Sequence, residues 1–266
     1  MNSIMETCYM CDEIATSKEH VPPKCMFPES KDVNGENYRN NLITVPSCDK
    51  HNSKKSKDDE FLMVSTAGII GNNSIGYRHK LGKVNRAIRR SSSRLLEKVF
   101  LQRKHFFIKT ENNLFIEVVW GTPDYERLLS CYKHICYGLH YHHFKSRFVG
   151  NIKIIPGYFY KKDKNAKTFN TFMRHKTAIE LAKKEKFGAN SEIFYYQFTD
   201  KDQFGLYLLK ICFYDGIDVY ASFIPEGIET PANLGMNLIQ AGVHTIIDLD
   251  GKSYVFNEKN TKQSMA

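Results

Sequence analysis

A frame of cysteine and histidine occupies the first sixty residues: Cys8-Tyr9-Met10-Cys11, then Glu19-His20, then Asn41, then Cys48-Asp49-Lys50-His51-Asn52. Two sulfur ligands three residues apart turn one knuckle around a zinc ion. Cys48 with His51 repeats that spacing, so four soft or borderline ligands close a tetrahedron. A segment of about fifty residues buries too little apolar surface to fold securely alone, and structural zinc contributes on the order of ten kcal/mol in small domains of this kind. The spacing therefore predicts an N-terminal module organised by Zn²⁺ on Cys8, Cys11, Cys48 and His51.

Between the two ligand pairs, Pro22 disfavours helix at Val21, which leaves Glu19-His20 on a short extended piece just before a turn. Asn40 to Pro46 reads as a turn into a second short strand, and Asn52 to Leu62 as the start of a polar helix. Two strands and a helix then pinch one groove. Asp58-Asp59-Glu60 reads as a solvated helix face and stays outside the site.

Residues 8 to 62 resemble the HNH endonuclease family, whose ββα-metal fold is framed in many members by a cysteine zinc knuckle. The resemblance rests on Cys-x2-Cys, the acid-His pair followed by proline, the Asn-Leu strand start, and Cys-x2-His-Asn followed by Lys and Ser. It implies that His20 is the general base, that Glu19 and Asn52 hold Mg²⁺ or Mn²⁺, and that Asn41 orients His20. The implied reaction is hydrolysis of DNA phosphodiester bonds to a 5′ phosphate and a 3′ hydroxyl.

Three departures from the commonest pattern matter. Glu19 stands where many members have Asp or His, and its extra methylene moves the carboxylate by about 1.5 Å, one covalent spacing. His51 stands where a knuckle cysteine is commoner, which leaves open a rival assignment of His51 to the catalytic metal with three ligands on zinc. Asn52 stands in place of a final histidine, and its neutral amide holds a cation weakly.

Charge points to the substrate independently. The chain carries a net +9, made of −3 over residues 1 to 60, +10 over 61 to 109 and +2 over the remainder. Arg78, Lys80, Lys83, Arg86, Arg89, Arg90 and Arg94 lie in the basic stretch, which reads as a phosphate-binding helix from Lys80 to Phe107. Arg86, Arg90 and Arg94 are four apart and repel one another unless something anionic lies across them.

The 266 residues, 42% hydrophobic and 13% aromatic, suffice for the module and one true globular domain. The expected class is α+β: a zinc-stabilised ββα-metal module at 1–62, a linker at 63–79, a mixed α+β domain at 80–256 and a flexible tail at 257–266. Within that domain a hairpin is expected from Phe106 to Trp120 about Asn112-Asn113, helices over Pro123 to Phe148 and Thr171 to Phe187, and strands over Asn151–Tyr160, Ile193–Phe198, Leu206–Phe213 and Val219–Ile224. A last hairpin joins Thr245–Leu249 to Ser253–Phe256. Cys131 with His134, and His140 with His142 and His143, invite a second metal, but aromatic His/Tyr packing is the preferred account. Phe194, Tyr195, Tyr196 and Phe198 invite a base-stacking platform, with core packing preferred.

Met1 to Ala15 lacks an apolar signal region, and no window approaches a membrane span. Cys25, Cys131, Cys136 and Cys212 show no paired framework, as expected in a reducing cytoplasm. Small HNH nucleases with an attached domain resemble effectors of anti-phage defence and restriction, a setting that implies an ATPase or other sensor subunit. A homodimer would account for double-strand breaks. The competing class is a non-catalytic, zinc-organised nucleic-acid binding module, which has no use for an acid, a base and an amide in one groove. Charge alone does not separate DNA from RNA.

Overall fold

The computed structural model describes residues 6–52, 56–92, 94–109, 115–158, 164–228 and 234–258. It is a mixture of helix and antiparallel sheet, the α+β class. The chain opens with β1 (Ser17–His20) paired antiparallel to β2 (Thr44–Ser47), with Glu19 opposite Val45 and His20 opposite Thr44. One helical turn, α1 (Asp49–Asn52), comes directly after β2, its first carbonyl being that of Cys48. Then comes α2 (Ser56–Thr66).

The boundary expected at residue 62 falls inside α2. Phe61, Leu62, Met63 and Val64 are all buried, so the C-terminal half of this helix is covered on every side and belongs to the core. The glycine-rich stretch beyond it ends the helix instead of loosening the chain: Asn72 is buried and its Nδ2 donates to the carbonyls of Thr66 and Ala67, each at 3.2 Å.

The single basic helix expected from Lys80 to Phe107 is several elements. They are α3 (Ser74–His79), a five-residue π turn at Lys80–Val84, α4 (Asn85–Arg90), α5 (Arg94–Val99) and then β3 (Phe100–Lys109). Ser91 makes the break. Its Oγ donates to the Ile88 carbonyl at 2.7 Å and accepts from Leu95 N at 3.1 Å, closing one helix and capping the next, while Ser92 takes a left-handed φ of 49°. Beyond Val99 the run Phe106-Phe107-Ile108 is aromatic and β-branched, and strand preference overrides the helical spacing. β3 pairs with β4 (Phe115–Pro123); the turn expected at Asn112-Asn113 lies outside the described residues.

Asp124 caps α6 (Tyr125–Phe144) by accepting from Arg127 N at 3.1 Å, so Pro123 ends a strand rather than starting the helix. The main sheet has the order β5 (Gly150–Pro156), β8 (Ile217–Pro225), β7 (Tyr207–Phe213), β6 (Phe194–Phe198), antiparallel throughout. The strand end expected at Phe159 and Tyr160 lies outside the described residues. α7 (Lys164–Leu181) sits seven residues earlier at its start than expected; its end is fixed by Gln197, whose Nε2 donates to the Leu181 and Lys184 carbonyls. Next come α8 (Leu234–Gln240) and the hairpin β9 (Thr245–Leu249) and β10 (Lys252–Phe256). Asn257, the expected start of a flexible tail, is tied by its Nδ2 to the Ile239 and Val243 carbonyls; residues 259–266 lie outside the described residues.

One hydrophobic cluster runs from Cys8 through α2 and α6 to Phe223. Tyr214 is fully buried; its Oη donates to the Met26 carbonyl, and its own carbonyl accepts from Asn73 N at 2.8 Å. Among the described residues no helix is long and apolar enough to cross a membrane.

Candidate metal centre and adjoining groove

Residues 6 to 15 form a small hairpin closed by the Thr7–Ile14 bridge, which brings Cys8 and Cys11 round one turn. The Met10 amide points at Cys8 Sγ at 3.5 Å, and Tyr9 N donates to the Pro46 carbonyl at 2.9 Å, stitching the knuckle to β2. Cys48 leaves the end of β2, and α1 turns His51 back over it.

The four donor atoms lie within 4.8 Å of one another. His51 Nδ1 is 3.4 Å from Cys8 Sγ, 3.5 Å from Cys11 Sγ and 3.3 Å from Cys48 Sγ, and the Cys11 and Cys48 sulfurs are 3.7 Å apart. Ligands about 2.3 Å (sulfur) and 2.0 Å (nitrogen) from a tetrahedral zinc stand roughly 3.5 to 3.8 Å from each other, so this set could hold a metal ion with little rearrangement. A disulfide is excluded at that separation, and all seven cysteines are free thiols. Burial and the neighbouring Cys48 and Cys8 push the Cys11 thiol up to about 11, a cost that a central cation would reverse. His51 turns its Nδ1 into this cluster, as the four-ligand assignment requires.

The expected catalytic residues are distributed less evenly. Alternation along β1 sends Ser17 and Glu19 to one face and Lys18 and His20 to the other. Glu19 is buried at 5% exposure, beside Tyr9, whose phenol burial and the Glu19 charge hold protonated. Asn52 docks on the same strand: its Nδ2 donates to Ser17 Oγ at 2.7 Å, and Ser17 Oγ donates to the Ser47 carbonyl at 3.2 Å. Thr16 Oγ1 donates to Asp49 Oδ1 at 2.6 Å and fixes α1 against β1. Ser17 escapes the sequence reading, although its place two residues before Glu19 is the period that could have found it.

His20 is half-buried at the end of β1, and its ring makes no hydrogen bond among the described residues. Burial, with the charge of Lys24, lowers its pKa and favours the neutral ring. Asn41 takes a left-handed φ of 53° in the turn before β2, exposed, and no hydrogen bond joins it to His20 among the described residues.

The basic stretch also divides. Arg86 is bidentate to Asp32, at 2.6 and 2.7 Å, and reaches Glu29 at 2.8 Å. The anion expected across its face is thus supplied from within the chain. Its guanidinium holds the Asp32 carboxyl below the usual range. Lys80 and Lys83 are half-buried, and burial lowers the Lys83 pKa. Arg78, Arg89, Arg90 and Arg94 are exposed.

Two alternatives left by the sequence resolve toward packing. His140 lies stacked on Phe223 at 5.6 Å with its Nδ1 against the Ser146 carbonyl at 3.1 Å, and His143 packs against Phe187 and Phe198. Every residue of β6 is buried, so Phe194, Tyr195, Tyr196 and Phe198 present no open platform. Comparison with protein-family models, with curated proteins and with solved structures finds no match to this chain.

Proposed function

We propose that the chain is a metal-dependent endonuclease of the HNH type acting on DNA, with structural Zn²⁺ on Cys8, Cys11, Cys48 and His51. The observation that carries this reading is the docking of Asn52 onto the Glu19 face of β1 immediately beside that cluster, with the His20 ring at the strand end making no hydrogen bond among the described residues. His20 takes the proton of the attacking water as its oxygen bonds to phosphorus. The P–O3′ bond breaks, and the 3′ oxygen leaves and is protonated, giving a 5′ phosphate and a 3′ hydroxyl. Glu19 and Asn52 would hold Mg²⁺ or Mn²⁺, which would supply charge stabilisation for the phosphate and the leaving oxygen. Arg78, Arg89, Arg90 and Arg94 supply phosphate contacts whose strength falls with salt. The free thiols fit a reducing cytoplasm, and the resemblance to defence and restriction effectors makes a sensor subunit, or a second copy for the opposite strand, the partner to seek.

A specific observation favours a second reading, a zinc-organised binding module without turnover: Glu19 is buried on the face opposite His20. Plasmid and single-stranded DNA incubated with Mg²⁺ or Mn²⁺, beside EDTA and His20→Ala, separate the two. Metal-dependent nicking lost in His20→Ala with DNA binding retained supports the nuclease. Binding without cutting by the unaltered chain supports the binding module.

A further inference from the structure

A cavity of about 360 Å³ opens where the β1–β2 hairpin meets the main sheet. Leu42 and Ile43 line one side, and Phe187 and Ala189, from the loop after α7, line the other. The two sides are clasped by Asn190 Nδ2, which donates to the Asn40 carbonyl at 3.2 Å. Asn41, Thr44 and His142 provide the polar rim.

The chemistry of this lining is selective. No carboxylate, lysine or arginine is among the residues that line it, so it offers no fixed charge to pair with a phosphate or a carboxylate. His142 is half-buried, and burial, with Lys145 and His143 nearby, lowers its pKa and keeps the ring neutral. The Phe187 ring is held in place, stacked on buried Tyr196 at 5.5 Å and edge-on to His143 at 4.8 Å. The Asn41 carboxamide makes no hydrogen bond among the described residues, leaving one donor pair and one acceptor at the rim. A flat, neutral ligand with an apolar face and a hydrogen-bonding edge matches such a site, and the volume is in the range of small-molecule pockets, which is about 300–1,000 Å³.

The cavity also has a direction. Thr44, on its rim, stands opposite His20 in the antiparallel register, so both side chains leave the same face of the hairpin. Adjacent strands are about 4.8 Å apart, which puts the rim and His20 within the reach of one nucleotide.

We propose that this cavity receives one unstacked nucleobase of a DNA strand, seated beside the phosphate presented to His20. The placement relative to His20 rests on the nuclease reading; the base site itself does not. Such a site sets the substrate class. Single strands, bulges and frayed ends deliver a free base, whereas uniform duplex must first expel one at a cost of a few kcal/mol.

The test uses the full chain carrying His20→Ala, to prevent cutting, and short single-stranded DNA in which one abasic residue is walked along the sequence. Fluorescence anisotropy is expected to show one position at which loss of the base weakens binding about 5- to 100-fold, the range that stacking of a single base supports. Ala189→Phe, at an exposed position, fills the cavity and should abolish that difference. Phe187→Leu gives the same readout should Ala189→Phe not fold, and the unaltered oligonucleotide series stands without either. Equal affinity at every abasic position overturns the proposal. Cleavage by the unmutated chain is measured in parallel: cutting without base dependence overturns the base site alone, and base dependence without cutting overturns the nuclease alone.

Discussion

His79 is wholly buried, and its Nε2 donates to the Cys25 carbonyl at 3.1 Å while its Nδ1 has no partner among the described residues. A second proton would sit on Nδ1 with no acceptor to meet it. Burial, reinforced by Lys83, accordingly pushes the pKa down to about 4. A histidine that resists protonation when folded and titrates normally when unfolded favours unfolding as pH falls. The loss begins near pH 6.5, is complete near pH 4, and is about 3 kcal/mol for this one group. Urea unfolding between pH 7 and pH 4 should show a steeper decline for the unaltered chain than for His79→Gln; parallel declines would exclude this account. At the same scale, the four metal donors are legible in the sequence because ligand spacing is a local property. The partition of Glu19 and His20 is not, because it depends on which face of a four-residue strand meets the core.

Gly138, in the middle of α6, shows how the helix sits against the hairpin. A Cβ built there would stand 2.6 Å from Val21 Cγ2, so the helix approaches the end of β1 as closely as a bare backbone allows. Alanine in a helix is favoured over glycine by about 1 kcal/mol, yet overpacking costs about 1–3 kcal/mol. Gly138→Ala is therefore expected to lower stability despite its better propensity, and Val21→Ala in the same chain should restore it. A stabilised single variant in urea unfolding would refute the close approach. The hairpins of the second half are readable from alternation and from Asp-Gly turns: Tyr214 and Asp215 both take positive φ, as a tight turn between β7 and β8 demands. The basic helix is not, because its apolar spacing persists through Ser91, and nothing in that spacing reports a hydroxyl that ends one helix and begins another. The stretch at 63–79 misleads for a related reason. Glycine and asparagine mark both linkers and helix ends, and only burial distinguishes them.

At the scale of the molecule, the metal cluster and the main sheet share one core. The Arg86 clamp on Asp32 and Glu29 and the ion pair of Arg127 with Asp58 at 2.8 Å fasten the first sixty residues to the later helices. Chelation is therefore expected to lower the melting temperature of the entire chain by about 10 °C or more, in a single transition, since metal binding in such modules is worth on the order of 10 kcal/mol. Calorimetry with and without a strong zinc chelator measures this. A second transition at an unchanged temperature would show that the sheet stands alone.

The bond from Tyr214 to the Met26 carbonyl spans 188 residues. During synthesis at about 5–20 residues per second, that carbonyl leaves the ribosome roughly 10 to 40 s before the tyrosine that satisfies it. Met26, Phe27 and the buried side chains of α2 therefore spend that interval before the segment that completes their core has been made.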